Sequence, residues 1–107
     1  MVNPRVTIIT PAYNASDLIV PTLQSAREQT MGDYEHLVID DGSTDNTAGV
    51  VAQAAKDDPR LRLIALEQNR GAPAGPRNIG IREARGDWIA LLDADDLWHP
   101  SKLEDQL

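Results

Sequence analysis

The amino-acid sequence predicts an α/β fold, a three-layer sandwich on a mainly parallel sheet of about four strands. Two patterns predict it. Short runs rich in Val, Ile and Leu recur at Val6–Thr10, Leu37–Asp40, Leu61–Leu66 and Trp88–Leu92, and stretches with helix start and stop signals separate them. The first run is apolar on both faces, which suits a parallel strand buried between helix layers. Strand–helix alternation then favours right-handed crossovers. A length of 107 residues fits one domain, 1–107.

Taken in order, strand one, Val6–Thr10, is expected to end at Pro11. Asn14-Ala15-Ser16-Asp17 combines turn and helix-start residues. The following helix should run to about Gln29. Proline belongs in a first turn, so Pro21 implies a distorted turn over Ser16–Val20 and regular helix from Pro21. Leu37–Asp40 is strand two. Gly42-Ser43-Thr44-Asp45 turns into a second helix with a hydroxyl cap from Ser43 or Thr44 and an acidic first turn. Ala48, Val51, Ala52 and Ala55 share one face of that helix, and Asp57-Asp58-Pro59 stops it. Leu61, Leu63, Ile64 and Leu66 form strand three. Gly71 to Gly75 is a small-residue loop, with Pro73 and Pro76 nearby. A third helix ends at Arg85 with Gly86 as its stop. Trp88–Leu92 is strand four, and Pro100 opens a last helix.

Composition narrows the function. Ten Lys and Arg against 17 Asp and Glu give a formal charge of −7. That balance argues against non-specific nucleic-acid binding, which needs basic patches to displace counterions. It leaves room for a nucleotide ligand, because a divalent metal inverts the local charge. Cysteine is absent, so no disulfide framework or thiolate metal site exists, which fits a reducing, cytoplasmic compartment. Val6–Thr10 is far too short to be a signal peptide, and no apolar run reaches membrane-spanning length. Phe is missing and aromatics are 4%, so the core must be aliphatic.

The chemistry gathers where the strands end. Strand one delivers Ala12-Tyr13-Asn14, strand two Asp40-Asp41, strand three Glu67-Gln68-Asn69, and strand four Asp93-Ala94-Asp95-Asp96. Ligands of open α/β sheets bind outside the carboxyl ends of the strands, where strand order reverses. If strands one and four are neighbours, that crevice lies between Tyr13 and Asp93. Asp93 follows a strand that reads as buried, where an unpaired carboxylate is costly. Close carboxylates also repel unless a proton or cation intervenes. A hard divalent ion such as Mg²⁺ or Mn²⁺ takes such oxygens, typically one or two carboxylates plus phosphates. Asp40-Asp41-Gly42 reads partly as a turn, and the spare carboxylate can accept from a base N–H or a ribose hydroxyl. Tyr13 suits either stacking on a flat ring or covering the sheet edge. Arg77-Asn78, near a helix start, suits either phosphate and base edges or an ordinary helix-face charge. His36, read as preceding strand two away from the crevice, and His99, beside Pro100, are poor catalytic candidates. A phosphoacceptor receiver domain would want a lysine at a later strand end, and Lys56 and Lys102 are not placed there.

Val6 to Asn14, Asp40-Asp41-Gly42-Ser43-Thr44-Asp45, Arg77-Asn78-Ile79-Gly80 and Leu92-Asp93-Ala94-Asp95-Asp96 together resemble family-2 glycosyltransferases of the GT-A fold, in order and spacing over nearly the whole chain. The resemblance implies a Rossmann-like sheet in the order 3-2-1-4, a nucleotide-diphosphate sugar donor (a UDP-sugar at family level), Mg²⁺ or Mn²⁺, and inversion at the anomeric carbon. Carried over, Pro11, Ala12, Tyr13 and Asn14 line the nucleoside pocket. Asp41, with Asp40 beside it, holds the base, and Arg77 and Asn78 frame the base or diphosphate. Asp93, Ala94 and Asp95 correspond to the DxD motif, with Asp95 the main metal or ribose contact and Asp96 an extra acid able to take the metal role.

The family continues past this motif into the acceptor surface and the general base. The chain is therefore expected to be the donor-binding half, with the base beyond Leu107 and with parts elsewhere able to hold it at the inner membrane face. The acceptor, a glycan, lipid or small molecule, is not readable. Leu97 and Trp98 are expected to form an exposed apolar patch or to drive self-association. The alternative is a non-catalytic nucleotide- or metal-binding module that kept the pocket alone.

Overall fold

A computed structural model describes residues 3–67 and 74–107. Along the chain run β1 (Val6–Ala12), α1 (Ile19–Arg27), β2 (Tyr34–Asp40), α2 (Thr47–Ala55), β3 (Leu61–Ala65), α3 (Ala74–Glu83), β4 (Trp88–Leu91) and α4 (Lys102–Gln106). The strands form one parallel sheet in the order β3-β2-β1-β4. This is the α/β architecture and strand order expected.

Two apolar faces build the sandwich, because successive strand residues point to opposite sides. On one face Ala12 and Val38 pack against Ile19 and Leu23 of α1 and Val51 of α2. Farther toward the amino ends, Val6, Ile8 and Tyr34 meet Ala26 of α1 and Leu103 of α4. On the other face Ile9, Leu37 and Ile39 meet Ile79 of α3. The core is aliphatic apart from Tyr34, and each fully buried Ile or Leu contributes about 1.5–3 kcal/mol.

Several boundaries move for identifiable reasons. β1 runs through Pro11 to Ala12. Ile9 O accepts from Leu92 N at 3.0 Å and Ala12 O accepts from Asp41 N at 2.8 Å. Odd residues of β1 thus face β4 and even ones face β2. Pro11 faces the side where β4 has already ended, so its missing N–H breaks no ladder bond. α1 begins at Ile19, which places Pro21 inside the first turn, where no N–H is needed. β2 starts at Tyr34, three residues earlier than expected, and is buried throughout. α2 starts at Thr47, and neither Ser43 nor Thr44 caps it. Ala52 of α2 is exposed; Thr47 and Val51 are its buried residues. The expectations for Gln68, Asn69, Arg70 and most of the Gly71–Gly75 loop lie outside the described residues.

β4 lies at an edge, as the expected order places it, but it is not the buried strand its apolar run suggests: Trp88 is 62%, Ile89 42% and Leu91 50% exposed. Asp93 therefore follows an open edge rather than a covered strand, and its side chain is half exposed. Burial alone gives no reason for a cation there. Leu97 is exposed, as expected, but Trp98 packs partly on the core against the α1–α4 cluster.

Buried polar side chains cross-brace the layers. Glu35 accepts from Thr7 Oγ1 at 2.7 Å and from Arg85 N at 2.6 Å, and Gly86 N donates to Thr7 Oγ1 at 2.9 Å. The chain leaving α3 is thereby fastened to β1 and β2. α3 ends at Glu83, so Gly86 is not its stop. A Cβ on Gly86 would lie 2.5 Å from Thr7 N, so the glycine permits backbone contact. His36 lies inside β2, not before it, and its Nε2 is 2.7 Å from Thr10 Oγ1. Burial holds its imidazole down to about 4 from 6.5, with Asp58 opposing.

Gly86→Ala is expected to destabilise the protein by about 2 kcal/mol or more, because backbone cannot yield as a side chain can; urea unfolding midpoints measure it. For His36 the unfolded chain takes up a proton between about pH 6.5 and about 4 that the folded protein refuses. Stability is thus fully present above that window and falls by about 3 kcal/mol on descending through it. His36→Gln should lose this component, read as a smaller difference in unfolding free energy between pH 7 and pH 4.5 than in the parent.

Candidate functional site

The loops at the carboxyl ends of β1 and β2 are laced together by side chains that bond to backbone. Asn14 adopts a left-handed conformation, φ 48°, which Asn tolerates better than most residues. From there its Oδ1 accepts from Thr44 N at 2.8 Å and Asp45 N at 3.3 Å, while its own N–H donates to Ser43 Oγ at 2.9 Å. Ala15 N donates to Thr47 Oγ1 at 2.9 Å, and Ser16 donates to Asp45 Oδ2 through both its N–H and hydroxyl. The hydrogen bond from the Thr47 hydroxyl is the largest influence on Asp45; desolvation opposes it, and weaker bonds from Thr47 N and Ser16 help hold the carboxyl down to about 2. Asp45 is therefore a carboxylate that ties the two loops together; it precedes the N-cap Asn46, so α2 does not have the acidic first turn expected.

Asp40 and Asp41 divide their work. Asp40 is buried and accepts from both the N–H and the hydroxyl of Ser43, shaping the turn at Gly42, whose φ is 72°. Asp41 is also buried and lies beside Ala12 through its N–H bond to that carbonyl. Tyr13 is 46% exposed at the same edge, free of the core.

The fourth strand tip stands on the other side of β1. Asp96 N donates to Asp93 O at 3.0 Å, closing a turn over Asp93–Asp96. Asp93 Oδ1 pairs with Arg77 Nη2 of α3 at 3.4 Å. Arg77 Nε is buried and has no hydrogen-bond acceptor among the described residues. Asn78, beside it, is exposed. Pro11 to Asn14 thus lie between Asp40-Asp41 on one flank and Asp93 to Asp96, with Arg77, on the other.

Two contributors carried no signal in the reading of the residues. Thr22 of α1 is fully buried and donates to Ala94 O and Asp96 O. Gln29 donates to His99 O at 2.7 Å and accepts from Leu103 N at 3.0 Å. A polar residue on the buried face of an otherwise apolar helix was the available clue. His99 is exposed, with Nδ1 3.0 Å from Ser101 Oγ.

Residues 7–107 match the family described as Glycosyl transferase family 2. The chain belongs to that family. It is 51% identical over 100 residues to the succinoglycan biosynthesis protein ExoO of Rhizobium meliloti (strain 1021), covering 94% of this chain and 28% of that protein. Among solved structures, S. aureus TarS 1-349 in complex with UDP-GlcNAc superposes with a TM-score of 0.89 at 31% identity, over 95% of this chain and 30% of that one. The mannosyltransferase PcManGT from Pyrobaculum calidifontis, in complex with GDP-Man and Mn2+, gives 0.86 at 34% identity, over 96% and 31%. This chain spans under a third of the length of these three proteins. No helix among the described residues is long and apolar enough to cross a membrane.

The donor set at the β4 tip is all carboxylate, the chemistry a hard divalent ion takes. Among the described residues no three His, Cys, Asp or Glu side chains converge as a ready-made metal cage. Asp93 and Asp95 thus fit an ion that completes its shell with ligand oxygens and water, not one caged by protein.

Asn14→Ala should cost about 1–3 kcal/mol, combining the lost acceptor with the strain of a Cβ residue at positive φ. Asn14→Gly should recover about 1 kcal/mol of that, since glycine adopts this conformation freely. Thermal unfolding of the three proteins separates the two parts.

Proposed function

We propose that the chain forms the donor-binding surface of an inverting, metal-dependent glycosyltransferase that takes a nucleoside-diphosphate sugar, with UDP as the nucleotide. The observation that carries it is the position of β1 between β2 and β4, which brings Asp41 and Asp93 to Asp96 to the two sides of Tyr13. Tyr13, exposed at the sheet edge, stacks on the base. Asp41 accepts from the base, and Asp40 keeps the turn beneath it in shape. Arg77 meets the diphosphate: its buried Nε lacks an acceptor among the described residues, and a phosphate oxygen supplies one. Asp95 and Asp93 hold the ion, with Asp96 next to them. When bound, Mg²⁺ or Mn²⁺ supplies Lewis-acid stabilisation of charge developing on the leaving diphosphate.

The relatives support the donor class. TarS is solved with UDP and with UDP-GlcNAc, and PcManGT with GDP-Man and Mn2+. Acceptor binding and the general base that deprotonates its hydroxyl are assigned to parts of the protein other than these residues. A cytoplasmic setting, where nucleotide sugars are available, belongs to the same reading.

Calorimetric titration with UDP should show binding in Mn²⁺ that disappears in EDTA and weakens about tenfold or more in Asp95→Ala, equivalent to about 1.4 kcal/mol or more. Equal affinity with EDTA, or an unaffected Asp95→Ala, would refute the donor site. Transfer or hydrolysis of a UDP-sugar distinguishes a transferase from a module that only binds.

A further inference from the structure

We propose that the Thr22 hydroxyl is a positioning group for Asp95, setting from inside α1 the place in the backbone from which that carboxylate reaches a divalent ion; the inference rests on the donor-site reading above. A threonine within a helix ordinarily turns its hydroxyl back to a carbonyl of the preceding turn. Thr22 does not. Fully buried, its hydroxyl leaves its own helix and shares its one proton between Ala94 O at 2.9 Å and Asp96 O at 2.7 Å, 72 and 74 residues away. Those two carbonyls bracket Asp95. The Asp96 N–H, bonded to Asp93 O at 3.0 Å, fixes the peptide between them. Three consecutive peptide groups around Asp95 are therefore held, two of them by one hydroxyl.

The Asp95 side chain itself is exposed and makes no hydrogen bond among the described residues. What is fixed is the place and direction of its Cα–Cβ bond, through the backbone that carries it. Asp93 differs, because Arg77 holds it directly. The placement of Asp95 is thus inherited from Thr22. Other α1-side contacts to this region grip farther along: Gln29 takes His99 O, while Thr30 N takes Pro100 O at 2.9 Å and Thr30 Oγ1 takes Glu104 Oε2 at 2.5 Å. They secure α4 and leave Asp95 to Thr22.

Electron spin resonance titration of Mn²⁺, with UDP as the nucleotide probe, tests this on Thr22→Val, Thr22→Ser and Thr30→Val. Valine keeps the shape of threonine and removes the donor. Mn²⁺ affinity should fall about tenfold or more in Thr22→Val, a loss typical when a group behind a metal ligand is removed. It should stay within about twofold of the parent in Thr22→Ser and Thr30→Val. Unchanged affinity in Thr22→Val overturns the proposal. So does a loss shared by Thr22→Val and Thr30→Val in step with their melting temperatures, which would mark a structural role alone. Should Thr22→Val not fold, Thr22→Ala carries the same expectation. If Asp95→Ala leaves Mn²⁺ binding intact, the donor-site reading fails on its own account. The grip on the loop is then decided by hydrogen exchange at the Asp96 amide, which should quicken in Thr22→Val and not in Thr22→Ser; no difference overturns it.

Discussion

The parallel ladder that seats β1 between β2 and β4 is the interaction on which the site depends. Without it the acidic tips of β2 and β4 would belong to separate surfaces. The register, Ala12 opposite Asp40 and Ile9 opposite Leu91, brings the first two strands to a common end and stops β4 earlier. That early stop leaves room beyond Leu91 for the Asp93–Asp96 turn. It also removes the ladder partner Pro11 could not have bonded. A proline in the middle strand of a sheet would ordinarily cost a hydrogen bond; here the spacing of the strand tips and the tolerance of the proline have one cause.

Above the ladder the loops are ordered by polar side chains whose bonds go to backbone. Asn14, Asp45 and Thr47 join the β1 and β2 loops, and Thr22 holds the β4 loop from below. Such bonds fix peptide planes directly, so exposed groups such as Tyr13 and Asp95 need no contacts of their own to be presented consistently. Pre-set groups spend less ordering entropy on a ligand. The carboxylate of Asp95 is exposed and that of Asp93 is half exposed beside Arg77. Water screens their mutual repulsion, whereas burial would have imposed that cost on folding.

The opposite end of the sheet serves stability. Glu35, with Thr7 and the backbone of Arg85 and Gly86, ties the third helix to the sheet, and His36 stays neutral against Thr10. Both are titratable side chains in the interior: Glu35 lies toward the amino ends of the strands, and His36 meets Thr10 in mid-sheet. Their buried polar atoms are satisfied by neighbours, which is the condition for keeping them inside at all.

Strand–helix alternation was legible because apolar runs and turn residues are local patterns, and the tips Ala12 to Asn14, Asp40-Asp41 and Asp93 to Asp96 follow from where those runs end. The sequence by itself determined the fold class, the order of elements and the residues offered at the strand ends, along with the family to which their combination points. Only the tertiary structure decided how far each strand is covered. An apolar run reads the same whether both faces are covered, as in β2, or one side stays open, as in β4. Likewise, only the fold showed that Asp40 is consumed by its turn, that Gly86 permits backbone contact, and that Thr22 reaches a loop more than 70 residues away. Contacts at such separation leave no periodicity along the chain, because they arise from how elements pack and not from what each element is.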